Sequence, residues 1–291
     1  LGAPLLLLWL ASPVAGWWIS RPLVTPDPEL SVKQQAFLRS AARRTWRYFA
    51  DFVGPTDNWL PPDNYQEYPA PAIASRTSPT NMGMSLLADL AAQDFGYIPA
   101  GEFLRRAANT LATMDKLERH RGHFYNWYDT RTLQPLHPRY VSSVDSGNLA
   151  GSLLTLQAGL AELKDQPVLS ANAFQGLQDT LQVLSEHVPG LPAPELAGKI
   201  RALQDTLRPF TPPQTVAGVP SLAAATSVLD AIHDAGKGLI AWLPADIDID
   251  GELYYWAQAF DGQCRALRDE LGFLVHDPER FVGIPTLAEL S

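Results

Sequence analysis

The sequence predicts an all-α protein built of helical hairpins, with a short β-hairpin inserted and a membrane helix at its start. Three observations carry this. Successive segments after residue 30 repeat apolar residues at helical spacing. Pro- and Gly-rich breaks separate them. The chain opens "LGAPLLLLWLASPVAGWWIS", with no charge before Arg21.

That opening is close to the ~20 apolar residues a membrane span needs. Trp17, Trp18 and Arg21 read as an interfacial belt with a basic flank. A signal-type hydrophobic region is the rival, but no basic segment precedes it. Lys33, Arg39, Arg43, Arg44 and Arg47 follow closely, so the positive-inside tendency puts the remainder in the cytoplasm. The abrupt start suggests a piece of a longer protein. Residues 1–20 are thus expected to end a transmembrane helix, 21–30 ("RPLVTPDPEL") to form a linker, and 31–291 to form one helical body.

"SVKQQAFLRSAARRTWRYFADFV" has a helix face at Phe37, Leu38, Ala41, Ala42, Trp46 and Phe49, stopped by Gly54-Pro55. The prolines of "PPDNYQEYPAP" exclude regular structure there. "SPTNMGMSLLADLAAQDFGY" and "SVDSGNLAGSLLTLQAGLAEL" form a weak repeat. Each starts with capping-type residues (Thr80 and Asn81; Asp145 and Ser146), and each passes through small residues into Ser-Leu-Leu. Gly83, Ser85, Ala88, Ala150, Gly151 and Ser152 suggest tightly packed inner helices. Between the repeats, "GEFLRRAANTLATMDKLERHRG" reads as an amphipathic helix closed by Gly122. "HFYNWYDTRTLQPLHPRY" reads as the hairpin. Four further helical patterns follow residue 165, and they read as scaffold.

The net charge of −9 and pI near 5.1 leave no basic face for nucleic acid. The single Cys264 rules out an intrachain disulfide framework and reads as a small buried residue of a helix. There is no Walker loop, dinucleotide fingerprint or nucleophile elbow, and His120 and His123 lack further ligands for a metal. No cofactor is expected in this chain.

The chemistry is concentrated between Trp59 and Asn148. Trp59, Tyr65, Tyr125, Trp127 and Tyr128 supply flat faces. Asp63, Asn64, Glu67, Arg76, Thr77, Ser78, Asn81, Asn126, Asp129, Asp145, Ser146 and Asn148 supply hydrogen-bonding groups. A sugar ring needs this mixture, because its apolar face stacks on an aromatic ring while its hydroxyl rim donates and accepts. Plainer roles compete: N-caps for Asn81 and Asp145, a salt bridge for Arg76, a turn for Asp129. Tyr125 and Trp127 alternate with Asn126 and Tyr128, so one pair faces the core and the other the cavity. Asp63, Glu67, Asp129 and Asp145 are available carboxylates, but their spacing identifies none as a glycosidic acid.

At these loops the sequence resembles the middle, glucoamylase-like domain of cyclic β-1,2-glucan synthases. The resemblance rests on "RRTWRYFADFV", "NWLPPDNYQE", "IASRTSPTN", "DFGYI", "FYNWYDTRTLQPL" and "YVSSVDSGNLAGSLLTL". It is strong over about residues 1–160 and looser to "IPTLAEL". It implies a large inner-membrane protein whose N-terminal glycosyltransferase extends β-1,2-glucan from UDP-glucose. The middle domain, an (α/α)6 toroid, then cyclises that glucan by retaining transglycosylation, and a phosphorylase-like region adjusts its length. The family's catalytic carboxylates lie in later toroid motifs that these 291 residues lack. The resemblance therefore implies a partial toroid that binds β-1,2-glucan, needs the remainder of the polypeptide for chemistry, and is inactive alone. An endo-β-1,2-glucanase on the same fold and a non-catalytic carbohydrate-binding module are the alternatives. Four segments, Asp63–Glu67, Arg76–Asn81, Tyr125–Asp129 and Asp145–Asn148, are expected to converge. Apolar inner-helix surface is expected to be exposed.

Overall fold

The computed structural model describes residues 2–21, 30–188, 194–211, 221–241, 243, 248, 251–281 and 283–290. Contacts divide the chain into two units, Leu1–Phe37 and Leu38–Ser291.

The first unit contains α1 (Gly2–Ile19), none of whose side chains is buried. Its 18 residues have a mean hydropathy of 1.4, and at 1.5 Å rise they extend about 27 Å, near the hydrocarbon thickness of a bilayer. By length and composition it is the one helix among the described residues able to cross a membrane. Arg21 lies 4.3 Å from the centre of the Trp17 ring, which fits the expected aromatic and basic flank. The expected linker falls almost wholly outside the described residues.

The second unit is helical. It contains most of α2 (Val32–Phe52), then α3 (Pro79–Asp94), α4 (Ala100–Met114), α5 (Ser143–Leu163), α6 (Ala171–Glu186), α7 (Pro194–Leu207), α8 (Leu222–Ala241), α9 (Glu252–Leu274) and the single turn α10 (Leu287–Leu290). The four patterns read after residue 165 are α6 to α9. They share one core around Phe174, Leu184, Leu229, Trp256 and Phe260, which also takes in Cys264. A second core unites α3, α4 and α5 around Met82, Leu86, Phe103, Tyr128 and Leu156.

Of the small residues of the repeat, Gly83, Ser85 and Ser152 pack closely as predicted, but Ala150 and Gly151 face solvent, and the second close contact is made by Gly159 instead. A Cβ on Gly83 would lie 2.7 Å from Ser152 Oγ, and one on Gly159 would lie 2.7 Å from Leu90 Cδ1. Residues 83 and 90 on α3 thus meet 152 and 159 on α5 in the same order, so the two helices run parallel at close range. α4 is the returning helix of a hairpin with α3, locked by a buried ion pair. Arg106 Nε lies 2.7 Å from Asp89 Oδ1, with side-chain exposures of 6% and 0%. Arg106 also donates to the Phe49 carbonyl at 2.9 Å and lies 5.0 Å from the Trp46 ring centre. Burial pushes the Asp89 carboxyl up to about 6 against the opposing pull of Arg106. Val144 and Leu154 of α5 and Met84 of α3 are exposed at 70%, 68% and 56%.

The β structure differs from expectation. Three two-stranded antiparallel sheets form: β1 (Tyr65–Gln66) with β2 (Ala72–Ile73), β3 (Arg76–Thr77) with β6 (Tyr128–Asp129), and β4 (Arg119–His120) with β5 (His123–Phe124). The β4–β5 turn is Arg121-Gly122, both at positive φ (52° and 88°), as a two-residue turn between twisted strands requires. Gly122 closes this turn and not a helix, since α4 ends at Met114. The segment read as one inserted hairpin does fold back on itself, through an antiparallel Tyr128↔Pro135 bridge in which Leu136 N donates to the Trp127 carbonyl at 2.9 Å and Asp129 N to the Gln134 carbonyl at 3.0 Å. Its Tyr128–Asp129 also pairs, on the other edge, with distant Arg76–Thr77. The proline-rich loop also contributes β1, between Pro62 and Pro69, which pairs with β2 just after Pro71.

Replacing Arg106 with leucine should strand the Asp89 carboxylate in the core. The expected cost is about 3–5 kcal/mol, read as a lower midpoint in urea unfolding. Asp89→Asn combined with Arg106→Leu should recover part of it. Equal stability of the Arg106→Leu and wild-type chains would show that the pair is not coupled.

Candidate functional site

Seven of the predicted loop residues, Asp63, Asn64, Arg76, Asn81, Trp127, Asp145 and Asn148, lie at the N-terminal ends of α3 and α5. Ser78 caps α3, its Oγ accepting from Asn81 N at 3.2 Å. Ser142 caps α5 in the same way, accepting from Asp145 N at 3.1 Å. The expected caps were Asn81 and Asp145. The helices instead start three residues earlier, on serines in extended conformation. This leaves both side chains free, one turn in, to reach across.

Asp63 holds the first half of the site. Arg76 donates to its Oδ2 from Nε at 3.2 Å and Nη2 at 2.9 Å. Asn64 Nδ2 donates to the same oxygen at 3.1 Å, and Asn81 Nδ2 donates to Oδ1 at 3.4 Å. The Arg76 guanidinium lies 5.1 Å from the Trp127 ring centre and its side chain remains 52% exposed. The pairing Arg76↔Asp129 and Thr77↔Tyr128 carries Trp127 to this place across some 50 residues of chain.

Asp145 holds the second half. Thr80 Oγ1 donates to its Oδ1 at 2.6 Å, and Asn148 Nδ2 donates to Thr80 Oγ1 at 3.1 Å. Burial raises the Asp145 pKa, but hydrogen bonds from Ser142, Thr80 and Ser78 outweigh it and hold the carboxyl below its ordinary value. Asp145 is therefore an ionised acceptor at neutral pH and unsuited to act as a glycosidic acid. Thr80, next to Asn81, joins the two halves. It was legible only as a capping-type residue, since nothing in "SPTN" tells a cap from a bridge.

The other predicted residues divide by burial. Along residues 125–128 the alternation holds: Asn126 and Tyr128 are buried, Tyr125 and Trp127 half-buried. Asn126 and Thr77 are exposed at only 3% and 0%, so they support the loops from beneath and do not meet a ligand on the surface. Their Oδ1 and Oγ1 atoms have no protein partner. Ser78 is a cap, and Ser146 bonds back to the Ser142 carbonyl at 2.8 Å. Asp129 is the turn residue of the plainer reading, accepting from Arg131 N at 3.0 Å and Thr132 N at 2.7 Å. The Thr132 amide, ahead of a burial penalty, is the main cause that lowers its pKa. Tyr65 and Glu67 turn aside to a cleft against α2 and α9. Trp59 lies under Arg105 of α4, 4.7 Å from guanidinium to ring centre. The surface-accessible set is thus Asp63, Asn64, Arg76, Asn81, Trp127, Asp145 and Asn148, with Thr80 between them. Among the described residues no cluster of His, Cys, Asp and Glu could hold a metal ion.

Residues 40–166, which contain this whole arrangement, match the family described as "Protein of unknown function (DUF3131)". Over 195 residues the chain is 45% identical to the cyclic β-(1,2)-glucan synthase NdvB of Rhizobium meliloti (strain 1021). That alignment covers 66% of this chain and 7% of NdvB, so the likeness is to one segment of a far larger protein. A crystal structure of a candidate glucoamylase from Bacteroides fragilis superposes with a TM-score of 0.32 at 23% identity, over 61% of this chain and 37% of that one. A superposition this partial adds nothing to the fold described above.

Thr80→Val keeps the shape and removes the donor to Asp145. A carboxyl with a depressed folded-state pKa adds stability above its unfolded-state pKa and loses it as pH falls through the folded value. The substitution should raise the Asp145 pKa, measured by carboxyl-carbon NMR titration, and shrink this acid-sensitive part of the stability. An unmoved Asp145 titration would mean that Thr80 does not hold it.

Proposed function

We propose that this chain is the glucan-binding part of a cyclic β-1,2-glucan synthase, within the domain that cyclises linear β-1,2-glucan by retaining transglycosylation. One observation carries the reading. Side chains from four segments spread over some 85 residues interlock at the ends of two parallel helices, within a stretch resembling NdvB. Arg76 and Trp127 offer a guanidinium donor and a ring face, and Asp145, Asn81 and Asn148 offer acceptors and amide donors. A glucan needs both kinds of contact. Asp63 fixes Arg76 before the ligand arrives, which limits the ordering cost of binding. Parallel inner helices joined through an outer one suit an (α/α)6 toroid, of which α3, α4 and α5 would be consecutive members.

In this reading the chain positions the glucan and does not break its bonds. Two carboxyl groups flanking the scissile bond are the ordinary requirement. Here Asp63 is committed to Arg76 and Asp145 is held ionised, so neither suits the general acid. The nucleophile and general acid would come from the rest of the polypeptide. UDP-glucose would be used by the preceding glycosyltransferase domain, with no cofactor in this segment. α1 would anchor the protein in the bacterial inner membrane, with the helical body in the cytoplasm.

The test is titration of the 291-residue chain, held in a lipid nanodisc, with linear β-1,2-glucooligosaccharides. Saturable binding is expected, with β-1,3-, β-1,4- and α-1,4-linked oligomers much weaker. Arg76→Ala removes a charged hydrogen-bond donor, so it should weaken binding by about 1.5–3 kcal/mol, or roughly tenfold to a hundredfold. In the full-length enzyme the same change should slow glucan processing by a similar factor. Equal binding of all linkages would remove the β-1,2 assignment. Unlinked or shortened products from the full-length enzyme would favour a hydrolase.

A further inference from the structure

A cleft of about 460 Å³ opens between α2, β1 and α9, lined by Arg44, Arg47, Tyr48, Asp51, Phe52, Tyr65, Glu67 and Glu252. Its charges are almost all matched internally. Arg47 is held by Glu252 at 2.6 Å and by Asp51 at 3.3 Å, with its guanidinium 3.7 Å from the Tyr255 ring centre. Asp51 also accepts from the Tyr255 hydroxyl at 2.7 Å, and Glu252 from Trp256 Nε1 at 2.9 Å. Arg44 is paired with Glu186 at 2.8 Å. These pairs fix the walls and leave little net charge to draw in an ion.

Two groups remain for a ligand. Glu67 is exposed and has no hydrogen-bond or ion-pair partner among the described residues. Tyr65 leans on Phe52, with ring centres 4.9 Å apart at 32°, and stays 37% exposed. A supported aromatic face beside an unpaired acceptor, in a cleft of otherwise neutralised charge, suits a neutral polyhydroxylated ring. The hydroxyl of Tyr48, donating to the Pro62 carbonyl at 2.8 Å, ties this cleft to the loop that carries Asp63.

We propose that this cleft is a second sugar-binding surface, taking one hexose ring of a glucan on Tyr65 with Glu67 accepting from its hydroxyls. The assignment rests on the glucan reading above. It gives the chain two separate holds on a polymer, which raise the effective concentration of the second contact once the first is made.

The nanodisc-held chain labelled with 3-fluorotyrosine tests this, with the Tyr65 resonance assigned through Tyr65→Phe. On titration with linear β-1,2-glucooligosaccharides the Tyr65 resonance should shift saturably, in the wild type and in Arg76→Ala alike. Glu67→Gln should weaken that response about threefold to tenfold while leaving the Trp127 fluorescence response in place. A silent Tyr65 beside a responding Trp127 would overturn the second surface and leave the first. Loss of the Tyr65 response in Arg76→Ala would show a single site and overturn it too. A Tyr65 shift produced by ethylammonium and not by the glucan would mean that Glu67 serves a cation. No glucan response at either reporter would remove both readings together.

Discussion

The close parallel approach of α3 and α5 is the constraint on which the site depends. Two helices can come this near only where one of each facing pair has no side chain, and Gly83 and Gly159 meet that condition at the two contacts. At this distance Thr80 on α3 reaches Asp145 on α5, and Asn148 reaches back to Thr80. With bulkier residues at 83 or 159 the helix ends would part, and those hydrogen bonds would be lost together. The spacing that packs the core thus also sets the geometry of the polar surface at its end.

A second layer of organisation comes from arginines taken out of water. Arg106 joins α4 to α3 and to the end of α2. Arg43 is buried between the rings of Tyr97 and Trp256, at 5.3 and 5.0 Å, and donates to Thr180 Oγ1 at 2.7 Å. Thr180 in turn donates to Gln263, whose amide holds the Gly96 carbonyl. Burial lowers the Arg43 pKa, yet a guanidinium keeps its proton in such a place because rings and hydroxyls share its charge. The chain Arg43–Thr180–Gln263–Gly96 links α2, α6, α9 and the α3–α4 turn, and so joins the two cores. Gly96 is needed there: its φ is +76°, and a Cβ would lie 2.0 Å from the Asn172 carbonyl.

Much of this was legible in the amino-acid order. The apolar periodicities gave every long helix from α2 to α9, because a stripe at i, i+3, i+4 has no other way to be buried. The Gly- and Ser-rich segments indicated close-packed helices, and 1–20 indicated an apolar helix without a buried face. The loops misled wherever pairing was non-local. Tyr128–Asp129 pairs with its own hairpin and also with Arg76–Thr77, and local sequence points only to the first. The caps misled because Ser142, Asp145 and Ser146 can each start a helix, and the choice falls to whichever side chain has no better partner.

The sequence by itself determined the helical class, the apolar character of α1, and the supply of rings and polar groups between Trp59 and Asn148. Only the tertiary structure decided which of them share a surface. Asp63, Arg76, Asn81, Trp127, Asp145 and Asn148 stand together, Tyr65 and Glu67 face another cleft, and Asn126 and Thr77 lie beneath. The reason is physical. Burial of a helix face depends on residues three and four positions apart and is written in local order. The neighbours of a loop side chain are fixed by helix–helix distances and strand pairings between residues 50 or more apart, which no local pattern encodes.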